Sequence, residues 1–194
     1  QLPCSHVVST MPVKELVAAA PAGFSAEARR IAAGLQYRDF FTVPEDAQPV
    51  TMGEGNTPLI HTDRLGAFYG MKNLYLKNET LNPSGTYKDR FATVAMTLAK
   101  EDGIKQVAIG SAGNAAAAVA AYAAKADMEC FIMLPPGAVK ERAWQNMAYG
   151  GHFIYGLGGV NDCVKMAEDG EAIFGWKNMC TTMMNNPLAC DGYK

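Results

Sequence analysis

Asn82-Pro83-Ser84-Gly85-Thr86-Tyr87-Lys88-Asp89-Arg90 is a turn-forming run that hands over to a helical pattern. Pro83 and Gly85 punctuate the backbone. Thr86–Glu101 then sets Phe91, Val94, Ala95, Met96 and Leu98 on one apolar face at helical spacing. Lys88 therefore falls just inside a predicted helix start. An unperturbed lysine is almost wholly ammonium at neutral pH. The partial positive charge of a helix N-terminus and partial burial both disfavour that charge, so together they predict a lowered pKa. A lysine made neutral in this way is a nucleophile toward carbonyl groups. A solvated Lys-Asp-Arg surface cluster is the plainer reading of the same residues.

Working outward, Lys105-Gln106-Val107-Ala108-Ile109-Gly110 reads as a strand and Asn114–Ala126 as a helix built almost wholly of alanine, with Val119 and Tyr122 as larger members. Between them lies the small-residue loop Ser111-Ala112-Gly113-Asn114. Strand, tight turn and helix start leave backbone N–H groups free to face an anion. An ordinary packing helix capped by Ser111 or Asn114 is the alternative. The alternation continues with strands at Cys130–Leu134, His152–Tyr155 and Lys177–Met183, and with helices at Ala138–Tyr149 and Val160–Phe174. Upstream, short helices are predicted at Val13–Ala20 and Ser25–Gly34, then a Pro-rich loop, a Gly53-Glu54-Gly55-Asn56 turn and a strand at Asn73–Lys77. Strands separated by helical stretches of this length predict an α/β fold with an open parallel sheet. Ligands of such sheets bind at the carboxyl ends of strands. The two loops follow the strands Asn73–Lys77 and Lys105–Ile109, so they are expected to share one crevice.

The 194 residues are 49% hydrophobic with a net charge of −2, which gives no electrostatic footprint for nucleic acid or a membrane surface. No apolar run reaches the ~20 residues of a bilayer helix. Cys4, Cys130, Cys163, Cys180 and Cys190 are odd in number and scattered, as expected of reduced thiols in a cytoplasmic protein. Cys4 and His6 are too few to hold a metal, and no metal site is expected. Gly156-Leu157-Gly158-Gly159 reads as a strand-to-helix turn and the eleven methionines as core filler. His6 and His61 have no recognisable partner, and His152, beside Gly150-Gly151, reads as a surface or satisfied histidine.

Residues 53–150 resemble fold-type II pyridoxal-phosphate (PLP) enzymes, and among them the threonine synthase-like group. The resemblance is carried by Gly53-Glu54-Gly55-Asn56-Thr57-Pro58-Leu59, by Lys77-Asn78-Glu79 leading into Asn82–Arg90, and by Ser111–Asn114. It implies that Lys88 binds the cofactor as an internal aldimine and later moves protons at the substrate's α and β carbons. It implies that Asn114 hydrogen-bonds the pyridoxal 3-oxygen, and that Ser111, Ala112, Gly113, Asn114 and Ala115 surround the substrate. It also implies open parallel twisted sheets with flanking helices in two domains. Residues 1–85 would belong to the large PLP domain, 86–185 to a small α/β domain carrying the carboxylate loop, and 186–194 to the return toward the large domain. Only the N-terminal half of that fold is expected within this chain, so the isolated polypeptide is expected to bind PLP poorly and to show no turnover. The full-length protein is expected to be a homodimer.

The activity this implies is β-elimination or β-replacement on an amino acid, with two alternatives, threonine synthase itself and a non-catalytic module of the same fold. Threonine synthases hold the phosphate of O-phosphohomoserine with a Thr after the loop Asn, an Asn-Ser pair and an Arg. This chain has Ala115 at the first position and, aligned on Asn186-Pro187, Met183, Met184 and Ala189 at the others. Phosphohomoserine is therefore not the expected substrate, and a neutral or apolar-tailed amino acid is. A two-residue shift of that alignment would bring Asn185 and Asn186 to the phosphate instead.

Overall fold

A computed structural model describes residues 41–193, apart from residues 42, 45, 139 and 183. The helices expected at 13–20 and 25–34, and Met183, lie outside the described residues. Three short elements come first: strand β1 (Leu59–His61), helix α1 (Asp63–Tyr69) and strand β2 (Tyr75–Lys77). β1 and β2 form an antiparallel two-stranded sheet of their own, with Leu59 opposite Lys77 and His61 opposite Tyr75. The expected membership of Asn73–Lys77 in the parallel sheet is thus incorrect. Leu59, Ile60, Tyr75 and Leu76 are all exposed, whereas parallel strands need both faces covered. The expectation that His61 lacks a partner is also incorrect, since its Nδ1 lies 2.9 Å from the Asp63 carboxylate and its Nε2 3.1 Å from the Lys72 carbonyl.

The parallel sheet has four strands: β3 (Gln106–Gly110), β4 (Glu129–Leu134), β5 (His152–Tyr155) and β6 (Lys177–Asn178). Their order is β5-β4-β3-β6. Helix α2 (Asp89–Glu101) precedes β3, and α3 (Asn114–Lys125), α4 (Lys140–Ala148) and α5 (Val160–Phe174) make the crossovers. Val107, Ala108 and Ile109 of β3 are buried without alternation, as in a strand covered on both faces. The alanines of α3 let it lie close to its neighbours: Ala116–Ala118, Ala120, Ala121 and Ala123 are buried along with Val119 and Tyr122. Gly110 has the same use on the other face, because a Cβ there would lie 2.4 Å from the backbone of Cys163 and Val164 in α5.

β6 stops at Asn178 instead of running to residue 183. The Asn178 side chain accepts from the Cys180 N–H at 2.9 Å, and Asn186 Nδ2 donates to the carbonyls of Asn178 (3.0 Å) and Cys180 (2.8 Å). These amides replace ladder bonds and turn the chain away from the sheet. It then forms a short helix α6 (Pro187–Cys190) and a 3-10 turn, Asp191–Tyr193, both packed on α2.

Candidate active site

Lys88 is the cap residue before α2, with φ −62° and ψ −20°. The helix begins at Asp89 because a tight turn precedes it. Gly85 takes φ +83°, a conformation open to glycine, and Asp89 accepts from the Ser84 N–H at 2.7 Å and from the Ser84 hydroxyl. Asp89 is 0% and Arg90 7% exposed, so the solvated-cluster reading fails. Arg90 meets Glu79 through two bonds, Nε to Oε2 at 2.8 Å and Nη2 to Oε1 at 2.9 Å. Glu79 also accepts from Thr57 Oγ1 at 2.7 Å and from Asn82 Nδ2 at 2.9 Å, while Asn82 Oδ1 accepts from the Gly55 N–H at 2.9 Å. Burial pushes the Glu79 carboxyl up, but hydrogen bonds from Arg90, Thr57 and Asn82 prevail and hold it at about 2.

This network ties the Gly53–Thr57 run to the turn that carries Lys88. The backbone of that run is left-handed at Gly53 (φ +87°), Gly55 (φ +90°) and Asn56 (φ +49°), which accounts for its glycines. Glu54 extends the tie to α3, accepting from the Tyr122 hydroxyl at 2.6 Å. From α4, Gln145 Nε2 donates to the Ser84 carbonyl at 3.1 Å. The turn is braced on three sides.

The half-buried Lys88 side chain leaves that frame toward the sheet. Its Nζ is 3.5 Å from Thr181 Oγ1, just past β6, and lies 4.8 Å and 4.9 Å from the ring centroids of Tyr87 and Tyr193. Burial pulls its pKa down, but Tyr193 and then Tyr87 raise it further, and the net direction is upward. The lowered pKa expected from the helix start is therefore incorrect: Nζ reaches past the helix end to two electron-rich phenols. Burial pushes the Tyr193 phenol up as well. Its buried hydroxyl lies near Lys88 and Thr181 yet meets hydrogen-bond geometry with no described residue, so we read this as proximity without a formed bond.

Ser111, Ala112 and Gly113 follow β3, the strand that pairs with β6. The loop and Thr181 thus leave neighbouring strands at the same carboxyl edge of the sheet, and Lys88 reaches that edge through Thr181. Ser111 Oγ accepts from the Gly113 N–H at 3.3 Å, and Gly113 caps α3 in extended conformation. Asn114 is the exposed first residue of α3, and Ala115 is half-buried behind it. Sequence reasoning missed Thr181 and Tyr193, which lie 93 or more residues from Lys88 and carry no local signal. Among the described residues, no group of three His, Cys, Asp or Glu side chains gathers to hold a metal, and no helix is long and apolar enough to cross a membrane.

The family pattern of pyridoxal-phosphate dependent enzymes matches residues 50–194. The chain belongs to that family. Its relatives include the threonine synthases of Methanocaldococcus jannaschii, 37% identical over 69% of this chain and 33% of that protein, and of Mycobacterium tuberculosis, 36% identical over 81% and 43%. The Halalkalibacterium halodurans threonine synthase is 34% identical over 82% of this chain and 44% of its own length. The chain therefore spans less than half the length of these curated relatives. Among solved structures, apo diaminopropionate ammonia lyase of Escherichia coli shares the fold at a TM-score of 0.66 with 19% identity, covering 87% of this chain and 50% of that one. Maize serine racemase matches at 0.57 with 26% identity, over 64% and 38%. The chain is of fold type II, in its threonine synthase-like group.

The residues present fit the aldehyde end of a PLP group. Lys88 has no carboxylate partner among the described residues, the buried Tyr193 hydroxyl makes no hydrogen bond to them, and the first turn of α3 carries no acidic side chain to repel an anion at its N–H groups.

Proposed function

We propose that this chain carries the cofactor-lysine half of a PLP-dependent enzyme that acts on an amino acid by β-elimination or β-replacement. Lys88 is the cofactor lysine in this reading, and Asn114 is a cofactor contact. Ser111, Gly113 and Asn114 lie around the substrate carboxylate, and Ala112 and Ala115 are further substrate contacts. The observation that carries it is the Lys88 amine, free of any carboxylate among the described residues and held at the sheet edge shared with the α3 N-terminus. Bound there, the pyridoxal ring supplies an electron sink for bonds breaking at the substrate's α and β carbons. The protein's part is to hold the cofactor through Lys88, to orient the substrate carboxylate on the backbone N–H groups of the loop, and to move a proton at the α carbon through the same amine. The change from the antiparallel β1–β2 pair to the parallel sheet, between Lys77 and Gln106, supports the proposed domain division at residues 85–86. A cytoplasmic homodimer belongs to the same proposal; the four described cysteines are free and buried, in keeping with a reducing compartment.

The substrate reading turns on Asn185 and Asn186. Asn186 Nδ2 is spent on the Asn178 and Cys180 carbonyls, and Asn185 Nδ2 donates to Glu168 at 2.7 Å. Asn186 has spent both amide protons and Asn185 one of its two, so the shifted alignment gains at most a single donor, and Ala189 is buried. This supports a neutral or apolar-tailed substrate. The 34–37% identity to threonine synthases favours the second reading, threonine synthase itself.

Borohydride reduction of the whole protein loaded with PLP is expected to fix the cofactor on the peptide containing Lys88, and Lys88→Ala to lose both the label and turnover by several orders of magnitude. Label on another lysine would overturn the assignment. Efficient phosphate release from phosphohomoserine, against slow turnover of serine, threonine and O-acetylated analogues, would decide for threonine synthase.

A further inference from the structure

Two aromatic rings converge on the Lys88 amine from distant parts of the chain. Tyr87 precedes it in the turn and Tyr193 comes from the 3-10 turn after α6, the rings being 5.4 Å apart at 51°. Tyr193 is itself held from behind, stacked on Phe91 of α2 at 5.8 Å and 23°. Gly192 makes that approach possible, since a Cβ there would lie 1.9 Å from the Arg90 carbonyl oxygen. Nζ lies within 5 Å of both ring centroids, at 4.8 and 4.9 Å, inside the range where a ring attracts a cation.

We propose that Tyr87 and Tyr193 are positioning residues that clamp the Lys88 amine as a cation at the sheet edge before a carbonyl cofactor arrives. The proposal rests on Lys88 being the cofactor lysine, and it adds a proton gate to capture: the amine must shed its proton and leave the rings to attack. Among the described residues, the titratable groups that face Nζ are Tyr87 from the turn, and Tyr193 and Cys190 from the closing segment. Thr181, from the segment after β6, is neutral. Asp89 is engaged by Ser84, and Arg90 by Glu79. The rings favour the charged form, so their removal lowers the pH at which Lys88 becomes reactive.

The test uses the cofactor-free protein and trinitrobenzenesulfonate, with labelling of the Lys88 peptide followed by mass spectrometry against pH. Tyr193→Leu and Tyr87→Leu are each expected to lower the midpoint by about half a unit to one unit. Tyr193→Phe keeps the ring face and is expected to follow the parent. Tyr87 is 47% exposed, so its substitution keeps the test open if Tyr193→Leu fails to fold. Leu variants that titrate with the parent midpoint would overturn the clamp. So would a Phe variant that shifts as far as Leu, because the hydroxyl would then be responsible. Labelling needs no cofactor. A protein that shows the shift but never captures PLP would sink the proposed function and leave the clamp standing.

Discussion

Glu79 accepts from Arg90, Thr57 and Asn82, so one carboxylate joins the Gly53–Thr57 run to the turn before α2. Glu79→Gln would take from the Arg90 guanidinium, 8% exposed at its side chain, the carboxylate charge that meets it through two bonds. The expected cost is about 2–3 kcal/mol in urea unfolding, below the figure for a wholly buried pair because water reaches one side. The pH dependence has a definite sign. Glu79 titrates lower folded than unfolded, so its stabilisation is complete above about 4.5 and is lost as the pH falls toward about 2. The parent's stability is therefore expected to drop across that window, with a shallower drop in the Gln variant. At this scale the sequence made Lys88 legible, because Pro83, Gly85 and the helical face lie within a few residues of it. Its electrostatics were not legible. A helix-dipole argument places the Cα, whereas the pKa follows Nζ, and Nζ sits among side chains brought there by tertiary folding.

Gly110 shows how an element is placed by what it lacks. Gly110→Ala would drive a methyl group to 2.4 Å from the backbone of Cys163 and Val164, and backbone cannot rotate away. α5 must move off the end of β3, at an expected cost of about 2–3 kcal/mol by thermal or urea unfolding. The loop Ser111–Asn114 starts at that strand end, so PLP affinity should fall with stability. Full stability with the same affinity would show that α5 does not press on β3. The long crossovers α3 and α5 and the strands β3, β4 and β5 were readable because each gives a sustained pattern bounded by turn residues. β1 and α1 were not, since three and seven residues give too few periods. β6 was overextended because the residues after it are apolar enough for a strand. The amides of Asn178 and Asn186 end it.

Across the whole molecule, β3, β4 and β5 pair in chain order, but β6 crosses back to the far side of β3 through a ladder of two residues. Gly110 and Cys180 meet across it although they are 70 positions apart. Folding order follows from this geometry. The strands joined by single crossovers can assemble while residues 177–181 are still searching, because closing the longer loop costs more chain entropy and returns few contacts. Thr181 then reaches Lys88 late, and the lysine amine acquires its surroundings only when the sheet is otherwise complete. The same edge should be first to open. The Met179 N–H, bonded to the Ala108 carbonyl at 2.7 Å, and the Cys180 N–H, bonded to Asn178, are expected to exchange with solvent deuterium through cheaper openings than Ile109 and Ile132. Equal protection at all four would mean that β6 joins with the first strands. If the edge opens first, the chain can free the Lys88 amine from its surroundings without unfolding its core.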